Sequence, residues 1–369
     1  MTSKMLAARL HALGEPLSVD TIEVPAPRPT DVLVKVAACG IVPNIGNVIR
    51  NWPTWFPHQP LPRFPAIFGL DAAGVVAEVG DAVIGIRPGD RVYVNPLRSC
   101  DGCDMCRAGR RSRCAYFTLA GYFSTSPDGQ RIFDQYPYGG FAEYLTAPQY
   151  SIVSLPDRMS FDTAAKLGYT GTSYHALVQA GAGAGQVGLI DGITGTLGVA
   201  ATRLALAMGV SRVLGTGRDE ELLGRVKDLA PERIEVFRLG GGSSGDWTKD
   251  VTDGVGADFV ISALGAKAPS ATMLDSMRGV RRGGAVVNIG GCADTLPVDV
   301  KWLMDEQVRL IGSNWPSTRQ TQVIADMVGA GALDMSYLEH RRFPLSQVNE
   351  AIASLSDRHG GFSNYVVVP

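Results

Sequence analysis

Four cysteines lie close enough together to share one ion. Cys100, Cys103, Cys106 and Cys114 fall in CDGCDMCRAGRRSRC, with two, two and seven residues between successive members. Four thiolates within fifteen residues suit a closed tetrahedral zinc site, which needs no further ligand and serves structure rather than catalysis. A disulfide framework would spread its cysteines along the chain, and a reducing cytosol would not keep it oxidised. The remaining two of the six cysteines, Cys39 and Cys292, stand singly in apolar stretches and read as small packed residues.

A second chemical feature follows the apolar run QVGLID. Gly192-Ile193-Thr194-Gly195-Thr196-Leu197-Gly198 leads directly into a helical pattern. Glycines there permit a tight turn, close approach of backbone to a pyrophosphate and close helix–sheet packing, while the helix start offers free N–H groups. The spacing is G-x-x-G-x-x-G rather than G-x-G-x-x-G, so the strand before and the helix after carry the assignment. An NAD site places a carboxylate at the end of the next strand to hold the ribose hydroxyls. That place falls on Gly217, followed by Arg218, which leaves room for a 2′-phosphate and a cation to pair with it. Asp219 and Glu220 come next and suit a helix cap. NADP is the expected cofactor, with NAD as the alternative.

The elements that must position these groups fall into two rhythms. Up to about residue 155, DVLVKVAACG, AAGVVAEVG, DRVYVNP and FAEYLTAP are short apolar or alternating runs between Gly, Pro and Asp, which predicts a barrel-like antiparallel unit. From about residue 160, strands and helices alternate: FDTAAKLGYTGTSYHALVQAG, QVGLIDG, TLGVAATRLALAMG, SRVLGTG, EELLGRVKDLA, GADFVISALG and GGAVVNIGG. Alternation of this kind predicts an α/β fold with a doubly wound parallel sheet. The last 60 or so residues, from VRLIGSNW to NYVVVP, are too few for a domain and are expected to complete the first unit.

Composition sets the outer limits. With 34 basic and 36 acidic residues the formal net charge is −2, which argues against nucleic acid or a membrane surface as partner. No run approaches the ~20 apolar residues of a membrane span, and the opening MTSKMLAARLHALGEP lacks a signal-peptide core, so a cytoplasmic protein is expected.

Taken together, the chain resembles the medium-chain dehydrogenase/reductase superfamily, in its zinc-type alcohol dehydrogenase branch. The resemblance runs end to end, through AARLHALGEPLSVDTIEVPAPRPTDVLVKV, VGDAVIGIRPGDRV, the cysteine lobe, YGGFAEYLTAP, SALG, GGAVVNIGG and FPLSQVNEAI…GFSNYVVVP. It implies a GroES-like β-rich catalytic domain over 1–158 and 311–369, with the zinc lobe at about 97–116. A Rossmann domain over 159–310 and a substrate cleft between the two follow from it. It further implies Ala263, Leu264 and Ile289 as cofactor contacts, a small-molecule substrate, and a homodimer or homotetramer.

Where such enzymes hold a catalytic zinc, this chain departs. Val42, Leu70 and Tyr169 take the three ligand places, Asp71 replaces the neighbouring glutamate, and Asn44 and Asn47 replace the proton relay. Val and Leu have no lone pair to give a metal, so a three-ligand site is not expected. Hydride transfer does not itself need metal, but the charge developing on a substrate oxygen then needs a donor or delocalisation. Tyr169 is the first candidate donor, the alternative being a ring that fills the space. Asp71 is either an acid or a structural acceptor, and Asn44 either a donor or a turn residue. His58, among Trp52, Trp55 and Phe56, reads as a satisfied loop residue, the alternative being a wall of the substrate cleft, and His175 reads as packing or a cofactor contact. The expected activity is NADP(H)-dependent reduction of an activated C=C or C=O without catalytic zinc. Alcohol/ketone interconversion using Tyr169, or a catalytically silent NADPH-binding protein, are the alternatives.

Overall fold

The long apolar segment Asp31–Gly40 organises the first half of the molecule, here described from a computed structural model over residues 3–292 and 294–369. Its side chains are buried almost without interruption, because both faces are covered. It pairs antiparallel with Asp71–Val79, with Tyr144–Pro148 and with the last strand, Ser363–Val368. These belong to a seven-stranded sheet that continues to Arg91–Val94 and Ile152–Ser154 on one side and to Glu339–Pro344 on the other. The last strand is therefore built into the sheet of the first unit. Register places Gly40 opposite Asp71. A Cβ at Gly40 would come within 1.9 Å of the Ala165 carbonyl oxygen, so the helical segment that leads into the second unit rests directly on this spot.

The second unit is a six-stranded, wholly parallel sheet. Its order is Ile234–Arg238, Arg212–Gly217, Val187–Asp191, Ala257–Ser262, Val280–Asn288 and Arg309–Gly312. One face packs on the helices Leu167–Ala180 and Thr196–Ala207. The other packs on Ser270–Arg278 through Leu189, Leu214, Val260, Met273 and Met277. Gly188 lets the two central strands carry Phe259 between them, since a Cβ there would lie 2.3 Å from the Phe259 ring.

Two elements differ from expectation. The segment beginning FDTAAKLGYTG is two helices, Phe161–Ala164 and Leu167–Ala180, broken where it docks on Gly40. Within VRLIGSNW, Arg309–Gly312 is the outer strand of the parallel sheet rather than part of the first unit, so a boundary at 310/311 falls inside a strand. Four residues with one polar end carry too little periodicity to assign. Among the described residues, no helix is long and apolar enough to cross a membrane.

Candidate active site

Asp191 ends its strand, and the chain turns at Gly192 with φ +78°, a conformation that suits glycine. Gly198 is fixed by contact instead: a Cβ there would lie 2.3 Å from the Gly192 carbonyl oxygen. The helix Thr196–Ala207 starts at Gly195 without a side-chain cap, leaving its first N–H groups free for an anion. These glycines fit a dinucleotide pyrophosphate. The cleft above them, of about 380 Å³, is lined by Gly192, Thr194, Gly195, Thr196, Leu197, Gly217, Arg218, Ala263 and Leu264, with Tyr169 at its wall. Ile289 packs on the core instead, and Gly290 and Gly291 line the cleft after it.

At Gly217 a Cβ would lie 2.9 Å from Leu223 and 3.1 Å from Thr194, so the position is crowded for any side chain. Asp219 is occupied as a helix cap, accepting from the Leu222 N–H at 3.0 Å, and Glu220 pairs with Arg238 at 3.2 Å. Among the described residues no carboxylate pairs with Arg218, which faces the cleft. Sequence reasoning missed Arg358, Lys267 and Pro43 on the cleft wall. Arg358 arrives through the C-terminal tail, where Gly361 N–H donates to the Thr194 carbonyl at 2.8 Å, a long-range contact no local pattern announces.

At the other end, Val42 and Leu70 are each 3% exposed within the apolar core of the first unit, and half-buried Tyr169 packs against the same cluster. Its ring meets Trp315 edge-on at 6.4 Å. Burial, reinforced by the charge of Asp71, holds the Tyr169 phenol above its usual range, so it is protonated at neutral pH. Asn44 Oδ1 accepts from Asn47 Nδ2 at 2.9 Å, and the Asn44 side chain also hydrogen-bonds Tyr122, a buried phenol the sequence did not single out. Trp52 stacks on Phe123 at 3.9 Å beside this group. His58 is exposed, and His175 Nδ1 sits 2.8 Å from Gln320.

Asp71 lies behind the reacting wall and not on it. A Cβ on Gly168 would touch its Oδ1 at 2.1 Å, which places the carboxyl directly beneath the Gly168–Tyr169 turn. Burial pushes it up to about 7, opposed by the Tyr93 hydroxyl at 2.7 Å, by Lys166 and by the Gly168 N–H. Lys166, brought down to about 8 by burial, donates to the Ser363 carbonyl at 3.1 Å. Each group favours the charged form of the other across the interior, against the burial that opposes both.

The four clustered sulfurs lie within 4.8 Å of one another. Neighbouring Sγ atoms are 3.5, 3.6 and 3.9 Å apart, against about 3.8 Å for the edge of a tetrahedron with Zn–S bonds of ~2.3 Å. Backbone N–H groups of Cys100, Cys103 and Tyr116 point at sulfurs at 3.3–3.4 Å, and the Cys106 N–H draws the Cys103 thiol down to about 6. The donor set fits zinc.

Comparison with known proteins agrees with this geometry. Residues 28–157 match the alcohol dehydrogenase GroES-like domain, and residues 196–330 match the zinc-binding dehydrogenase domain. An alcohol dehydrogenase of Geobacillus stearothermophilus is 33% identical over 312 residues, 84% of either chain. An NDMA-dependent alcohol dehydrogenase of Amycolatopsis methanolica is 28% identical over 96% of each. A putative zinc-binding dehydrogenase from Sinorhizobium meliloti, solved bound to NADP, superposes over the whole of both chains with a TM-score of 0.82 at 25% identity. The chain belongs to the zinc-binding alcohol dehydrogenase family and is an oxidoreductase. For the sulfur cluster, elemental analysis should find bound zinc that falls sharply in Cys103→Ser, with loss of stability of the lobe; unchanged zinc in that variant would remove the cluster as its site.

Proposed function

We propose that the chain is an NADP(H)-dependent oxidoreductase that reduces an activated C=C or C=O of a small organic substrate without a catalytic zinc. The observation that carries this reading is the composition of the reacting wall. Val42 and Leu70 offer no ligand atom, and a protonated phenol, Tyr169, stands at the end of the cofactor cleft. Bound NADPH would supply the hydride. Tyr169 then donates a hydrogen bond to the substrate oxygen as charge develops there, and the apolar surround makes that single donor count for more than it would in water. Asp71 sits behind Tyr169, and its negative charge opposes loss of the phenolic proton. A conjugated acceptor suits one donor best, because conjugation spreads the developing charge. Alcohol/ketone interconversion at the same Tyr169 is the second reading, favoured by the relatives' activity.

The preference for NADP rests on crowding at Gly217, the engagement of Asp219 in its cap and the free guanidinium of Arg218. The Sinorhizobium protein bound to NADP supports it. Zinc belongs to the cysteine lobe alone in this reading, at about one per chain, and a content near two would overturn it. We also assign the outer strand Arg309–Gly312 to pairing between two copies. Among the described residues its far side has no strand neighbour, and Leu310 within it and Val300 and Met304 on the preceding helix are 40%, 75% and 68% exposed.

Arg218→Ala should weaken NADPH binding by about 10-fold or more, from a charge-assisted contact of roughly 1.5–3 kcal/mol, and leave NADH nearly unchanged. Equal weakening of both would remove the 2′-phosphate assignment. Tyr169→Phe keeps the ring and removes the donor. Turnover with an enone or ketone should fall roughly 100- to 1000-fold at unchanged NADPH affinity. Parental turnover would return Tyr169 to a packing role. Light scattering at micromolar concentration should give a dimer or tetramer, and a monomer mass would dismiss the edge-strand assembly.

A further inference from the structure

Three side chains aligned across neighbouring strands close the cofactor loop from beneath. Asp191 stands in register with Thr216 on one side and Ser262 on the other. Residues in register leave the same face of a sheet. All three are fully buried. Thr216 Oγ1 donates to Asp191 Oδ1 at 2.5 Å and accepts from the Gly192 N–H at 3.3 Å, so the carboxyl is one hydroxyl removed from the first glycine of the loop. Ser276, on the helix Ser270–Arg278, faces Asp191 and favours its ionised form.

Two atoms in this layer are orphaned. Asp191 Oδ2 and Ser262 Oγ are buried without a hydrogen-bond partner among the described residues. An ionised carboxylate there leaves a charged oxygen with no donor, a costly arrangement. A proton on Oδ2 removes the charge. No cation offsets it from the packed side: Asp275 is the charged group facing it and has the same sign, while Thr216, Ser262 and Ser276 are neutral. The cations Arg218, Lys267 and Arg358 line the cleft, whose wall does not include Asp191. Burial pushes the Asp191 carboxyl up to about 6, with Thr216 and Ser276 pulling down and Asp275 adding to the rise.

We propose that Asp191 is a proton-linked positioning residue for the cofactor: its neutral form supports the phosphate loop, its ionised form sets a like charge beneath the pyrophosphate, and cofactor binding therefore takes up a proton. The inference rests on the reading that this loop binds NADP(H). The sign follows by linkage. The free protein loses the proton as pH rises through about 6, an anionic ligand nearby favours keeping it, and affinity must fall over the same range.

Calorimetric titration of the full chain at pH 5.5–8.0, in buffers of different ionisation enthalpy, reads affinity and proton uptake together. NADH is the first probe, because the 2′-phosphate of NADPH has its own ionisation near pH 6. NADH binding should weaken about 10-fold from pH 5.5 to 8.0, as one unit of linked shift requires, with proton uptake between. Asp191→Asn keeps the shape and the Thr216 contact but cannot ionise, so its affinity should be flat and its uptake zero. Thr216→Val removes a hydroxyl that favours the ionised form and should move the midpoint to higher pH. A flat parental profile without uptake overturns the proposal, as does Asp191→Asn that keeps both, or a midpoint unmoved in Thr216→Val. Absence of binding by either cofactor at every pH would instead overturn the cofactor reading itself.

Discussion

Geometry at the cofactor cleft depends on one contact between distant parts of the chain. The Gly361 N–H donates to the Thr194 carbonyl at 2.8 Å, and a Cβ at Gly360 would come within 2.5 Å of the same oxygen. The tail can approach that closely only as glycine. It is delivered by the strand Ser363–Val368, which belongs to the sheet of the first unit, onto a loop that belongs to the second. Arg358 reaches the cleft by the same route. Any drift of one unit against the other would therefore move a cation relative to the phosphate loop.

A second constraint lies under the reacting wall. Tyr93 donates to buried Asp71 at 2.7 Å, and the helix carrying Tyr169 is seated over that carboxyl through Gly168. Removing the Tyr93 hydroxyl would leave that buried oxygen short of a donor, so the contact resists separation. The turn that aims Tyr169 inherits that rigidity. Trp315, hydrogen-bonded to Asn95 at 3.2 Å, closes the other side of the ring.

The parts of this architecture legible in the sequence are those with local causes. The glycine loop, the central strands and the cysteine spacing all announce themselves within a few residues, because turn conformation, burial on both faces and tetrahedral coordination are short-range demands. What escaped has long-range causes. Lys166 reads as an ordinary lysine until the distant Ser363 carbonyl it donates to is found. Arg358 sits in a polar tail and gains meaning only when that tail crosses to Thr194. Tyr122 is distinguished by Asn44 alone, and Asp191 looks like a strand end until its register with Thr216 and Ser262 is known. The boundary at 310/311 cuts Arg309–Gly312 because sheet membership at an edge is settled by a neighbour and not by periodicity.

In the proposed reading, the apolar character of Val42 and Leu70 also makes the site hard to convert. Cysteine at Val42 and histidine at Leu70 would set polar groups among apolar contacts, where each position is now 3% exposed, while the Tyr169 ring stays braced edge-on by Trp315. Removing that ring first would open a hole against the apolar core before any ligand was there to fill it. Each single substitution is thus unfavourable by itself, and only their combination forms a coordination sphere. That reading sets a valley of several unfavourable steps between such a chain and one built to bind metal at these positions.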